Sequence, residues 1–159
     1  MNHPRHQARR IALQGLYQLD IQRAARDVNV AEMLAPLLAE AELTGEAADY
    51  SRELVAGTWS EHEHYDEMIA GASDHWGVSR MAVVDRNILR LALHELLARP
   101  DVPVRVLIDE AIEIGREFGD AETPHFVNGV LDAIWKHHPA CRVARGEAPC
   151  SAAPPSGGG

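Results

Sequence analysis

The chain reads as an all-α protein, a compact bundle of six or seven helices in two fused helical subdomains. Three observations lead there. Ala, Leu, Glu and Arg dominate the 159 residues, and aromatics make up only 5%, a balance that favours helix over strand. Apolar residues recur at three- and four-residue intervals through most of the chain. No segment alternates apolar and polar residues for long enough to form a strand.

The first helix is expected over residues 4–26. Asn2, His3 and Pro4 make a start signal, and Ala8, Ile11, Ala12, Gly15, Leu16 and Leu19 form one apolar stripe. Asn29 can cap a second helix reaching Leu43, which Pro36 should kink, and Thr44-Gly45 ends it. One long helix over 46–72 then carries Tyr50, Leu54, Thr58, Tyr65, Ile69 and Ala72, and Gly71 with Trp76-Gly77 breaks it. After Ser79, the wide apolar arc of Ile88, Leu89, Ala92, Leu93 and Leu96 marks a central helix. Pro103 opens the next, which keeps Val104, Leu107, Ile108, Ala111, Ile112, Gly115 and Phe118 on one stripe until Gly119. Thr123-Pro124 joins a hydroxyl cap to a proline whose missing N–H costs nothing there. Phe126, Val127, Val130, Leu131, Ile134 and Trp135 complete that last stripe, and Pro139 closes it. Residues 1–139 are therefore read as the folded domain and 140–159, rich in Gly, Pro, Ala and Ser, as a disordered tail.

Charge is unevenly spread. The net charge is -9, which alone disfavours a general nucleic-acid binder. Residues 1–26, however, hold Arg5, Arg9, Arg10, Arg23 and Arg26 against Asp20 alone, whereas 40–74 hold ten acids against Arg52. Such a chain can meet phosphate with one end and stay anionic elsewhere. No apolar run reaches the roughly 20 residues of a membrane span, and the start does not read as a signal peptide. With Cys141 and Cys150 as its two cysteines, a reducing cytoplasm is the expected setting.

Catalytic and metal signatures are missing. His62 and His64 stand two residues apart, on different sides of a helix, and His94-Glu95 lacks a second histidine because position 98 is Ala. There is no phosphate-cradling glycine loop, no nucleophile elbow and no Cys-x-x-Cys pair. The expectation is a binding protein with no catalytic residue, metal or cofactor.

Three segments together resemble one family. Arg9-Arg10-Ile11-Ala12-Leu13-Gln14-Gly15-Leu16-Tyr17 is the first. The second runs from Asp85-Arg86-Asn87-Ile88-Leu89-Arg90 through His94-Glu95-Leu96 and Asp101-Val102-Pro103 to Glu113. The third is Phe118-Gly119 followed by Thr123-Pro124-His125-Phe126-Val127-Asn128-Gly129-Val130-Leu131-Asp132. Their order and spacing are similar to the NusB family of transcription antitermination factors over roughly residues 5–136.

The resemblance implies a non-enzymatic helical bundle. It implies pairing with NusE, a small-subunit ribosomal protein, and binding of boxA-type single-stranded RNA in nascent ribosomal transcripts. It also implies work beside RNA polymerase and other Nus factors. Arg5, Arg9 and Arg10 at a helix start would then hold phosphate. The start at Thr123 would be a second anion site close to the first. Tyr17 and Phe126 are candidates for base stacking, though Phe126 reads equally as core. Asn128 would read a base edge or tie a helix to a loop. Family members often carry Ser and Lys where Thr123 and His125 stand, so His125 offers a weaker phosphate contact. Arg90, Glu95 and Glu110 read as a partly buried structural ion pair, and Gly129 as a close-packing site. Two rivals remain: a protein-binding helical scaffold or homodimer without specific RNA recognition, and the RNA-binding module of a ribosomal-RNA methyltransferase, which would need a further catalytic domain.

Overall fold

A computed structural model describes residues 3–73 and 77–146. Among these, eight α-helices follow one another: α1 (Pro4–Gln22), α2 (Val30–Glu40), α3 (Gly45–Ser60), α4 (His62–Ala72), α5 (Val83–Ala98), α6 (Val104–Phe118), α7 (Thr123–His137) and α8 (Pro139–Ala144). A 3-10 turn at Val78–Arg80 precedes α5. No strand occurs among the described residues, and none of their helices is long and apolar enough to cross a membrane.

Local chemistry sets the helix ends. The His3 ring caps α1 by accepting the Arg5 backbone N–H at 3.2 Å. α1 ends four residues before the expected limit, because Arg23 turns left-handed at φ 53°. Asn29 caps α2 as expected, its side chain accepting the Glu32 N–H at 3.0 Å. The helix expected over 46–72 is two helices. At their junction the Ser60 hydroxyl donates to the Gly57 carbonyl at 3.1 Å, and the His62 ring donates to the Trp59 carbonyl at 2.6 Å while stacking 4.0 Å from the Trp59 ring. Side chains thus take carbonyls that a continuous helix would use. The break expected at Trp76 lies outside the described residues.

Two apolar clusters form. Ile11, Leu16, Leu19, Leu34, Leu38, Leu54, Val55 and Trp59 pack α1, α2 and α3 together. Met68, Ile69, Leu89, Leu93, Leu96, Leu107, Ile114, Val127, Leu131 and Ile134 pack α4 to α7. The clusters are interlocked rather than merely adjacent: Leu91 of α5 belongs to the first and Leu13 of α1 to the second. A polar seam also joins them. Asp20 on α1 accepts from Arg86 (2.7 Å), Asn87 (2.8 Å) and Arg90 (3.0 Å) on α5, and Arg90 reaches Asp66 on α4 at 2.7 Å. Burial alone would raise the Asp20 carboxyl, but these donors hold it below the usual carboxylate range.

The chain does not leave the fold at Pro139. α8 follows it, with Cys141 wholly buried against the α4–α7 cluster. The expected tail is thus helical over Pro139–Ala144, and its remainder from residue 147 lies outside the described residues.

Candidate nucleic-acid interface

Arg9 and Arg10 are neighbours on one helix and point to different worlds. Arg9 stands one turn before Leu13, on the edge of the apolar stripe, and is only 4% exposed. Its Nε and Nη2 donate to the two carboxylate oxygens of Glu95 at 2.8 and 2.9 Å, and Nη1 donates to Glu110 at 3.0 Å. The His6 ring meets the same Glu110 oxygen at 2.9 Å, and the Tyr50 hydroxyl donates to Glu95. Burial disfavours the Arg9 charge, yet the Glu95 bonds outweigh that and raise its pKa; burial together with the Glu95 charge pushes Tyr50 up to about 12. Arg9 is a tie between α1, α5 and α6, and it offers nothing to a phosphate.

Arg10 lies about 100° further round the helix, toward its outward face. It donates to Glu117 at 2.8 and 3.0 Å and to the Gln7 side chain at 3.0 Å, and its guanidinium carbon stands 5.6 Å from the Phe118 ring centroid. Its side chain keeps 29% of its exposure. Two turns further, Tyr17 is 42% exposed and borders a groove of about 490 Å³ lined by Leu13, Gln14, Gln18, Val84 and Phe118. Arg10, Gln14, Tyr17 and Ile21 follow helical spacing, so α1 carries a second, outward stripe. Sequence reasoning did not read Gln14, Val84 or Phe118 as interface residues; for Gln14 the α1 spacing was the available signal.

The remaining expected contacts separate. Arg5 lies 4.7 Å over the Tyr50 ring and 3.9 Å from Asp101, beside the start of α6. Thr123 lies just past the end of α6. α6 has 15 residues, a span of about 22 Å, so the starts of α1 and α7 are at opposite ends of it rather than side by side.

Thr123 is also not the cap expected of it. It is fully buried at the first helical position. Its hydroxyl accepts the Asp120 N–H at 3.1 Å and donates to Asp85 at 2.8 Å. Asp120 accepts the N–H groups of Glu122 and Thr123 at 2.9 and 3.1 Å. The positive end of α7 is therefore engaged by the protein's own carboxylate. Burial raises the Asp85 pKa, opposed by the Thr123 bond and assisted by Asp120.

His125 and Asn128 are exposed on α7, and Phe126 is partly buried against the α4–α7 cluster. Gly129 faces open space, so it is not the close-packing glycine expected; Gly119 is, since a Cβ there would meet the Thr123 Oγ1 at 2.4 Å. The structural ion pairs expected of Arg90, Glu95 and Glu110 are present, with different partners: Arg90 takes Asp20 and Asp66, while both glutamates take Arg9. Among the described residues no group of three or more His, Cys, Asp or Glu side chains converges on a metal-sized site.

Comparison with known proteins gives this geometry a family. A model described as the NusB family matches residues 6–136. The transcription antitermination protein NusB of Symbiobacterium thermophilum is 41% identical over 134 residues, covering 82% of this chain and 88% of that protein. Its counterpart in Anaeromyxobacter dehalogenans is 44% identical over 148 residues, covering 92% and 99%. Among solved structures, T. maritima NusB superposes with a TM-score of 0.76 at 36% identity, over 87% of this chain and 94% of that one. A complex described as antitermination factors NusB and NusE with dsRNA gives 0.74 at 28% identity, over 87% and 100%. The chain belongs to the NusB family.

Proposed function

We propose that this protein is a transcription antitermination factor that acts by binding, not by catalysis. It holds nascent boxA-type RNA together with a NusE-type ribosomal protein in the cytoplasm, beside RNA polymerase and the other Nus factors. The observation that carries the RNA reading is the outward face of α1. There a cation, Arg10, and an exposed ring, Tyr17, flank a groove walled by Phe118. A guanidinium for phosphate and aromatic faces for bases are the elements of single-strand recognition. His125 and Asn128 offer further donors on α7. The family relatives and the NusE- and RNA-bound structural neighbour support this reading.

The acidic body sharpens the role of the partner. Glu117 lies against Arg10, and Asp120 already engages the start of α7, so RNA affinity is expected to depend strongly on NusE. A mobility shift with boxA-like RNA, scrambled RNA and duplex RNA, each with and without a NusE-type protein, tests this. The expected result is partner-dependent preference for the boxA-like strand. Equal affinity for boxA-like and scrambled RNA in the presence of partner would sink it. A rival reading uses the same groove for a second copy of the chain, because Ile21 is exposed one turn beyond Tyr17. Sedimentation equilibrium showing a dimer that Tyr17→Glu dissociates, without RNA binding in either form, would favour that rival.

A further inference from the structure

Residues 139–146 lie beyond the family-matched stretch, which stops at residue 136, yet they make a specific closure. α5 has no basic residue in its last turn, and its cap residue Arg99, at φ -126° and ψ 72°, is not left-handed. The terminal carbonyls of such a helix ordinarily turn to water, a C-terminal cation or a glycine cap. Here the Arg145 guanidinium, from a turn after α8, fills that place. Its Nε donates to the Leu96 carbonyl at 3.0 Å, Nη1 to Val102 at 2.6 Å and Nη2 to Arg99 at 3.1 Å, with Pro100 and Glu95 carbonyls at 3.4 and 3.5 Å. A planar five-donor fork can meet carbonyls at these several angles at once, which an ammonium cannot. The negative end of the α5 dipole adds to the attraction.

The turn closed this way has work to do elsewhere. Asp101 lies near Arg5, and Arg99 bonds Asp101 at 3.3 Å and Glu53 at 3.0 Å while standing 4.8 Å over the Tyr50 ring. The start of α1 and the α5–α6 turn are thus held together. At the other end of the same segment Cys141 is wholly buried in the α4–α7 cluster, on a helix that packs against α5 and α7.

We infer that residues 139–146 are a C-terminal strap, and that Arg145 locks the α5–α6 turn and the burial of Cys141 into one opening unit. When the strap lifts, the turn loosens and the thiol meets solvent together.

The full-length chain carrying Cys150→Ser reports both ends. The rate of Cys141 alkylation by a neutral maleimide reads the strap, and hydrogen exchange at the Arg99 and Val102 amides reads the turn. Arg145→Ala is expected to raise both rates at least tenfold, and Arg145→Lys to raise both by a smaller factor. Faster alkylation with unchanged turn exchange overturns the inference, and so does no change in either rate. If Arg145→Ala does not fold, as judged by circular dichroism, Arg145→Lys decides by the same pair of rates.

Discussion

The inner and outer faces of α1 solve opposite problems with the same side chain. On the inner face Arg9 is surrendered to the fold: two carboxylates, a tyrosine hydroxyl and a histidine converge on one ion network. On the outer face Arg10 keeps contact with solvent beside Phe118 and the groove under Tyr17. A buried pair resists loss of one member far more than an exposed pair does, because the survivor is left charged and dry. Basic residues near a chain start are thus divided by helical phase, not by sequence proximity, into those that hold the protein together and those that can hold something else.

The largest expected effect breaks the inner face. Arg9→Ala leaves Glu95 buried without its main partner, and chemical denaturation should register a loss of about 3–5 kcal/mol. The midpoint temperature should fall by roughly 10 °C. A loss below 1 kcal/mol would place Arg9 with the exposed arginines after all. Next comes the α3–α5 contact, where a Cβ on Gly57 would stand 2.2 Å from the His94 ring. That ring is buried and bonded through Nδ1 to the Tyr65 hydroxyl at 3.0 Å, so it has little room to yield. Gly57→Ala should cost about 1–3 kcal/mol. By contrast, Gly129→Ala on the open side of α7 should add up to about 1 kcal/mol, and the two melts measured side by side test the inside–outside distinction directly.

On the outer face the effect should appear in binding and hardly in folding. Arg10→Ala should change stability by no more than about 1 kcal/mol. It should weaken RNA binding and flatten the salt dependence by about one unit of slope. Identical slopes for the two proteins, from titrations at several salt concentrations, would remove Arg10 from the interface.

The smallest effect is a pH dependence at His94. Burial lowers its pKa, outweighing the raising influence of Glu95, Glu53 and Glu61; Arg99 adds to the lowering, and Tyr65 faces Nδ1. A group depressed in the folded state stabilises the fold fully above its unfolded value of about 6.5. That contribution is lost as pH falls through the unfolded value toward the folded one. Stability measured from pH 7.5 down to 5 should therefore fall more steeply for the wild type than for His94→Gln; parallel curves would exclude His94 as the source.

The helices were legible because each is a stripe, and a stripe shows in one strand of sequence. The wide apolar arc of α5 announced a central helix, and α5, like α1, contributes to both clusters. What escaped was contact chemistry between distant residues. The α3–α4 break rests on Ser60 and His62 side chains reaching backbone carbonyls, which no periodicity records. Arg145 was hidden for the same reason, since its partners are carbonyls and leave no side-chain pattern. The candidate site was read as a cluster of cations, and only helical phase, Arg9 beside Leu13 and Arg10 beside Tyr17, could have divided it. Thr123 shows the limit of motif reasoning: a hydroxyl before proline has the form of a cap, but Asp120 performs that task and Thr123 packs under Gly119.

The interlocking of α1 with α5 bears on the birth of the molecule at the ribosome. Arg9 and Glu95 are 86 residues apart, and translation at about 5–20 residues per second separates their emergence by on the order of ten seconds. During that interval the amino-terminal helices lack both the Leu91 side chain that completes their cluster and the carboxylate that neutralises Arg9. A nascent chain in that state shows its first arginines to whatever polyanion lies nearby, and withdraws one of them only when the central helix arrives.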